Sequence, residues 1–113
     1  MLEMKIERLY KEENLFEIYI LKDKDYKEVI YHNNEEMPVQ ELAEDLFNLI
    51  KLYNKNIKWS EDEDEMDDNN TLFYGYDCII VNLNDECVFS YHYDFSDYEE
   101  IKDSFQRLIK ALN

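Results

Sequence analysis

The chain is poor in the residues that usually shape loops, with one glycine and one proline in 113 residues. A lone Gly75 cannot build a phosphate-cradling loop, which takes several glycines, or a dinucleotide fingerprint, which takes three. Turns must therefore rest on Asn and Asp, whose short side chains bond to nearby backbone and tolerate left-handed conformations. Bases are scarce as well, 12 against 28 acids. Direct contact with DNA or RNA phosphates, which needs lysine and arginine patches, is disfavoured. No run approaches the roughly 18 apolar residues of a membrane span. The N-terminus is charged from Glu3 and lacks the apolar stretch of a secretory signal. The expected setting is a cytoplasm, with no membrane partner.

Signs of catalysis are missing too. Cys78 and Cys87 lie in apolar, strand-like runs without CxxC spacing, so they read as free thiols and not as a disulfide or a zinc site. His32 and His92 stand at strand ends with no HExxH spacing and no Cys/His cluster around them. The acidic segment fails as a calcium loop. From Asp62 the series passes Asp64 and then reaches Met66, with no glycine at the sixth position. Adjacent carboxylates such as Glu99-Glu100 are expected in so acidic a chain, and nothing marks one of them as raised and the other as ionised. The expectation is a protein that is not an enzyme and needs no metal or cofactor.

What is present is enough for a core, since 45% of residues are hydrophobic and 15% aromatic. Residues 4–10, 15–21 and 26–32 read as strands, and Phe16, Ile18 and Ile20 alternate with polar neighbours. Short polar connections make them an antiparallel meander. Asn33 and Asn34 end the third. Pro38 suits the first turn of a helix over 38–54, with an apolar stripe at Val39, Leu42, Ala43, Leu46, Leu49, Ile50 and Tyr53. Asn54 and Asn56 are its terminators. Residues 71–83 and 87–93 are β-prone, Gly75 suggests a bulge or bend, and Asn84-Asp85 is a hairpin signal. Ser96-Asp97-Tyr98-Glu99 matches a capping box that opens a second helix. Its stripe is Ile101, Phe105, Leu108, Ile109 and Leu112. The order β-β-β-α-β-β-α predicts an α+β fold: a single antiparallel sheet of about five strands, with both helices packed on one face and an opposite face rich in Tyr and Glu. Neither an internal repeat nor a boundary is visible, so residues 1–113 are expected to form a single compact domain with an acidic loop at about 60–70.

The net charge of −16 exceeds what solubility requires, a magnitude of about 2–8 for a small domain. Seven acids fall within Glu61–Asp68: Glu61, Asp62, Glu63, Asp64, Glu65, Asp67 and Asp68. Charges this dense repel, so an exposed loop is expected. Outside it 21 acids still face 12 bases, a net of −9, so the acidity belongs to the whole chain. Ten tyrosines accompany it, among them Tyr74, Tyr76, Tyr91 and Tyr93 at alternate positions of the C-terminal strands. Tyrosine is enriched at interfaces, because it buries area at low entropic cost. Trp59, just before the acidic run, either anchors a partner or plugs the core at the helix end. The expected binding set is therefore the seven acids of 61–68 with Trp59, Tyr74 and Tyr76. The expected partner is a basic protein surface.

The small size, the Lys/Asn/Ile-rich composition, the overall acidity and the run EDEDEMDD together resemble phage-encoded inhibitors of bacterial immunity, such as the anti-CRISPR proteins that mimic DNA. The resemblance implies a non-enzymatic inhibitor that occupies the basic surface of a nucleic-acid-binding protein or nuclease. It carries over no site residue and no fold. An immunity protein that neutralises a bacterial toxin fits the same composition. So does a small structural or regulatory phage protein whose acidity only confers solubility.

Overall fold

In the computed structural model, the residues described are 2–8, 16–22, 25–28, 39–65, 69–92 and 98–113. The N-terminal meander is present as β1 (Leu2–Arg8), β2 (Phe16–Lys22) and β3 (Asp25–Glu28). They pair antiparallel in sequence order, with Ile6 opposite Ile18 and Leu21 opposite Tyr26. Next come α1 (Val39–Tyr53) and β4 (Lys58–Ser60), then a 3₁₀ turn (Glu63–Glu65). The chain continues through β5 (Asn70–Tyr74), β6 (Cys78–Leu83), β7 (Glu86–His92) and α2 (Tyr98–Leu112).

The α+β class is as expected, but the single five-stranded antiparallel sheet is not what forms. There are two sheets, β1-β2-β3 and β4-β5-β6-β7, and the second is mixed because β4 runs parallel to β5. Two local causes account for the difference. The apolar run 71–83 is too long to be one strand, and it folds back at Tyr76-Asp77. There the Gly75 N–H donates to the Cys78 carbonyl (2.8 Å) and the Cys78 N–H to that of Gly75 (3.4 Å). Gly75 thus closes a hairpin and is not a bulge. A Cβ at this position would lie 2.7 Å from Cys78 Sγ, a separation that ordinary contacts do not reach. The second cause is β4 itself, three residues too short to show a period. The bulge lies elsewhere. Between β6 and β7, Val81 pairs with Phe89 and Asn82 with Cys87. The extra residue, Val88, is buried along with Phe89. The Asn84-Asp85 turn is as expected, with φ of 51° and 67°, both left-handed.

Both helices lie on one face of the four-stranded sheet. The stripe Leu42, Ala43, Leu46, Leu49 and Ile50 of α1 is buried with Ile101, Phe105, Leu108 and Ile109 of α2. Beneath them are Leu72, Ile79, Val81, Leu83, Phe89 and Tyr91, the residues that alternation turns to that side. Phe105 meets Phe89 edge to face, with centroids 4.9 Å apart. α2 also lies against β1, which links the two sheets. The other face of the four-stranded sheet carries Thr71, Phe73, Cys78, Ile80, Asn82 and Ser90 by register. It is not the Tyr- and Glu-rich face expected, since Tyr74 and Tyr91 turn toward the helices. Pro38, Asn33, Asn34, His32, Tyr93 and the Ser96-Asp97 half of the capping box lie outside the described residues.

Candidate partner-binding surface

The acidic segment begins where β4 ends. The Ser60 hydroxyl donates to the Asp62 carbonyl (2.9 Å) and accepts from the Asp62 N–H (3.2 Å). The Asp62 carboxylate accepts from the Asp64 N–H (2.9 Å). A loop expected only to be exposed is therefore ordered by its own Ser and Asp side chains into a capped 3₁₀ turn. Glu61, Asp62, Glu63 and Asp64 are all exposed, and none of them pairs with a lysine or arginine among the described residues. Glu65 completes the turn. Asp67 and Asp68 lie outside the described residues.

Of the two tasks considered for Trp59, the structure shows the packing one. It is half-buried against the core, and its ring meets Phe47 edge-on (5.6 Å, 89°) and Tyr74 at a tilt (5.7 Å, 35°). Trp59 and Tyr74 are thus brought together. Tyr76 is not part of that cluster and stands 94% exposed at the tip of the β5–β6 hairpin. Beside Trp59 runs a groove of about 350 Å³ lined by Gln40, Glu44, Phe47, Asn48, Trp59 and Glu61. The α1 members of this set were not legible as site residues. Their one signal is Phe47, an aromatic residue lying off the buried stripe.

The chain's direction separates the charges. β4 and β5 run in parallel toward the acidic turn and the Gly75–Cys78 hairpin. Asn54, just past the end of α1, donates to the Asn70 side chain at the start of β5 (2.8 Å), while Phe47 meets Trp59. α1 therefore runs antiparallel to these strands, and its N-terminal half lies at the acidic end. α2 runs antiparallel to β7. The Ser104 hydroxyl donates to the Ser90 carbonyl (2.9 Å), and one turn further on Arg107 donates to that of Cys87 (3.4 Å). Both helix N-termini thus share one end of the layer with the turn. That end carries Glu41, Glu44, Asp45, Glu61, Asp62, Glu63, Asp64, Asp77, Glu99 and Glu100, with Lys102 one turn into α2. Lys51, Lys55, Lys58, Arg107 and Lys110 lie toward the other, together with the two acids Asp85 and Glu86 of the β6–β7 turn. Helix dipoles reinforce the arrangement: Glu41, Glu99 and Glu100 occupy first turns, and Lys51 and Lys110 last turns.

The same end shapes the chemistry of Cys78. Burial pushes this thiol above its ordinary value of 9.0, and the Asp77 carboxylate and, less strongly, Glu63 push the same way against a hydrogen bond at the Gly75 backbone. A raised thiol favours the folded state while protonated. Its contribution is fully present below the unfolded value and is lost as pH rises through the folded one. Alkylation at about pH 8 should modify exposed Cys87 faster than half-buried Cys78, as read by mass spectrometry of the two peptides. Equal rates would mean that Cys78 is open to solvent.

Among the described residues no group of three or more His, Cys, Asp or Glu could hold a metal ion, and no helix is long and apolar enough to cross a membrane. Comparisons with family models, curated proteins and solved structures found no match in any of the three.

Proposed function

We propose that this chain is a non-enzymatic acidic binding protein that inhibits a nucleic-acid-binding protein or nuclease by occupying its basic surface. What supports this most is the segregation of charge. Ten acids gather at one end of the helix-and-sheet layer with Lys102 alone among the bases placed there, while five lysines and arginines lie toward the other with only Asp85 and Glu86. Evenly scattered charge would serve solubility alone. A concentrated end produces a field of one sign, and a channel built for phosphates is attracted to that field from a distance. The half-buried Trp59 and Tyr74, with the exposed Tyr76, offer ring surface beside it. Rings of this kind supply contact area that charge alone does not.

The test is competition. The immobilised chain is exposed to nuclease-treated bacterial lysate at about 50 mM and about 500 mM salt, with and without added duplex DNA. The expected result is retention of a basic nucleic-acid-binding protein at low salt, its release at high salt, and its displacement by the duplex. Retention that ignores both salt and DNA would overturn the proposal.

A further inference from the structure

We infer that the groove between α1 and β4 is an arginine-side-chain site, the point at which one guanidinium of a basic partner docks. This rests on the proposed function and adds a specific contact to it. The floor is aromatic, with Phe47 and Trp59 perpendicular to one another and Tyr74 behind Trp59. The rim is acidic and amide-bearing. Glu44 and Glu61 come from α1 and from the end of β4, and Gln40 and Asn48 complete the lining. Glu44 is steadied by the Gln40 amide, which donates to its Oε1 at 3.2 Å.

A planar cation that can stack on a ring while its edge meets carboxylates matches this combination. Guanidinium does both at once, whereas an ammonium is a compact, strongly hydrated point charge. The cluster already attracts a cation of its own, since Lys51 Nζ lies 5.5 Å from the centre of the Phe47 ring. The volume of about 350 Å³ suits one long side chain and not a folded element. The groove lies in the N-terminal half of α1 and beside Glu61, at the acidic end, where a basic surface would arrive first.

Trp59 is the chain's one tryptophan, so its emission reports on this groove alone. The probe is a short fluorescein-labelled oligo-arginine peptide, with an oligo-lysine peptide of equal charge for comparison. Peptide anisotropy measures total binding and Trp59 emission measures occupancy of the groove. The expected result is one midpoint for both signals with oligo-arginine, and little Trp59 response to oligo-lysine. Glu44→Gln with Glu61→Gln should weaken oligo-arginine about tenfold. A control pair that removes the same charge at the same end, Asp77→Asn with Glu99→Gln, should weaken it less than about threefold. All four positions are exposed, so the fold is expected to persist in both variants.

Equal weakening by the two pairs with unmoved Trp59 emission would overturn the groove and leave the proposed function standing. An equal Trp59 response to oligo-lysine would overturn the choice of arginine. Failure of both peptides to bind at low salt would overturn the groove and count against the proposed function as well.

Discussion

Neutralising the seven acids of Glu61–Asp68, with Gln for Glu and Asn for Asp, should weaken binding to the basic partner about a hundredfold, or ~2.7 kcal/mol. Exposed ion pairs are worth roughly 0.2–1 kcal/mol each, and seven charges sharing one field do not add independently, so the total falls within their summed range. The melting temperature should stay the same or rise. Like-charge repulsion is relieved, and Asn at position 62 keeps the side-chain oxygen that accepts from the Asp64 N–H. A control variant at the far end of the layer, Asp85→Asn with Glu86→Gln, removes two charges and should change affinity by less than about twofold. Asn tolerates the left-handed backbone of position 85, so that control also keeps its turn. Affinity is measured by titration against the captured partner and stability by thermal unfolding. If the Glu61–Asp68 variant binds as well as the unmodified chain, the acidic turn is not part of the contact.

The largest effect on stability is expected from Phe105→Ala, a loss of about 3–5 kcal/mol. Phe105 is fully buried, and its edge-to-face contact with Phe89 fastens α2 to β7. Truncation removes the transfer free energy of the ring and leaves a cavity between a helix and a sheet that cannot close without moving both. A chain of this size has about 5–15 kcal/mol of total stability, so the melting temperature should fall by roughly 15 °C. Tyr76→Ala is the contrast. At 94% exposure it should shift stability by no more than about 0.5 kcal/mol. Urea unfolding of the two variants separates the cases. A loss below about 1 kcal/mol for Phe105→Ala would mean that α2 does not share the common core.

Legibility in the sequence followed the range over which each signal acts. Both helices were readable because their stripes repeat every three to four residues for four turns, and the stripe read for α1 differs from the buried set only at its two ends. The Asn84-Asp85 turn was readable because its chemistry is local to two residues. β4 was not, because a three-residue strand has no period and its parallel pairing with β5 is decided by tertiary contact. The split of 71–83 was obscured because Tyr76-Asp77 lacks the usual turn signature, and Gly75 serves there by making room for Cys78 and not by a left-handed backbone. On the candidate site, the acidic run and Trp59 announced themselves by composition. The pairing of Trp59 with Phe47 and Glu44 did not, since it depends on α1 lying antiparallel to β4. Segregation of charge between the ends was hidden for the same reason. A residue's place in the list says nothing about which end of the layer it occupies.

The shared orientation of the two helices has a kinetic consequence. With most of its carboxylates at one pole and an excess of ammonium and guanidinium groups toward the other, the helix-and-sheet layer has a permanent electric moment along its length. Near a cationic surface it experiences torque as well as attraction. Within a screening distance of about 8–10 Å it would be turned acidic pole first before any side chains touch. Docking two specific patches usually holds association to about 10⁵–10⁷ M⁻¹s⁻¹, because most collisions are misoriented. A molecule that aligns during its approach spends fewer of those collisions.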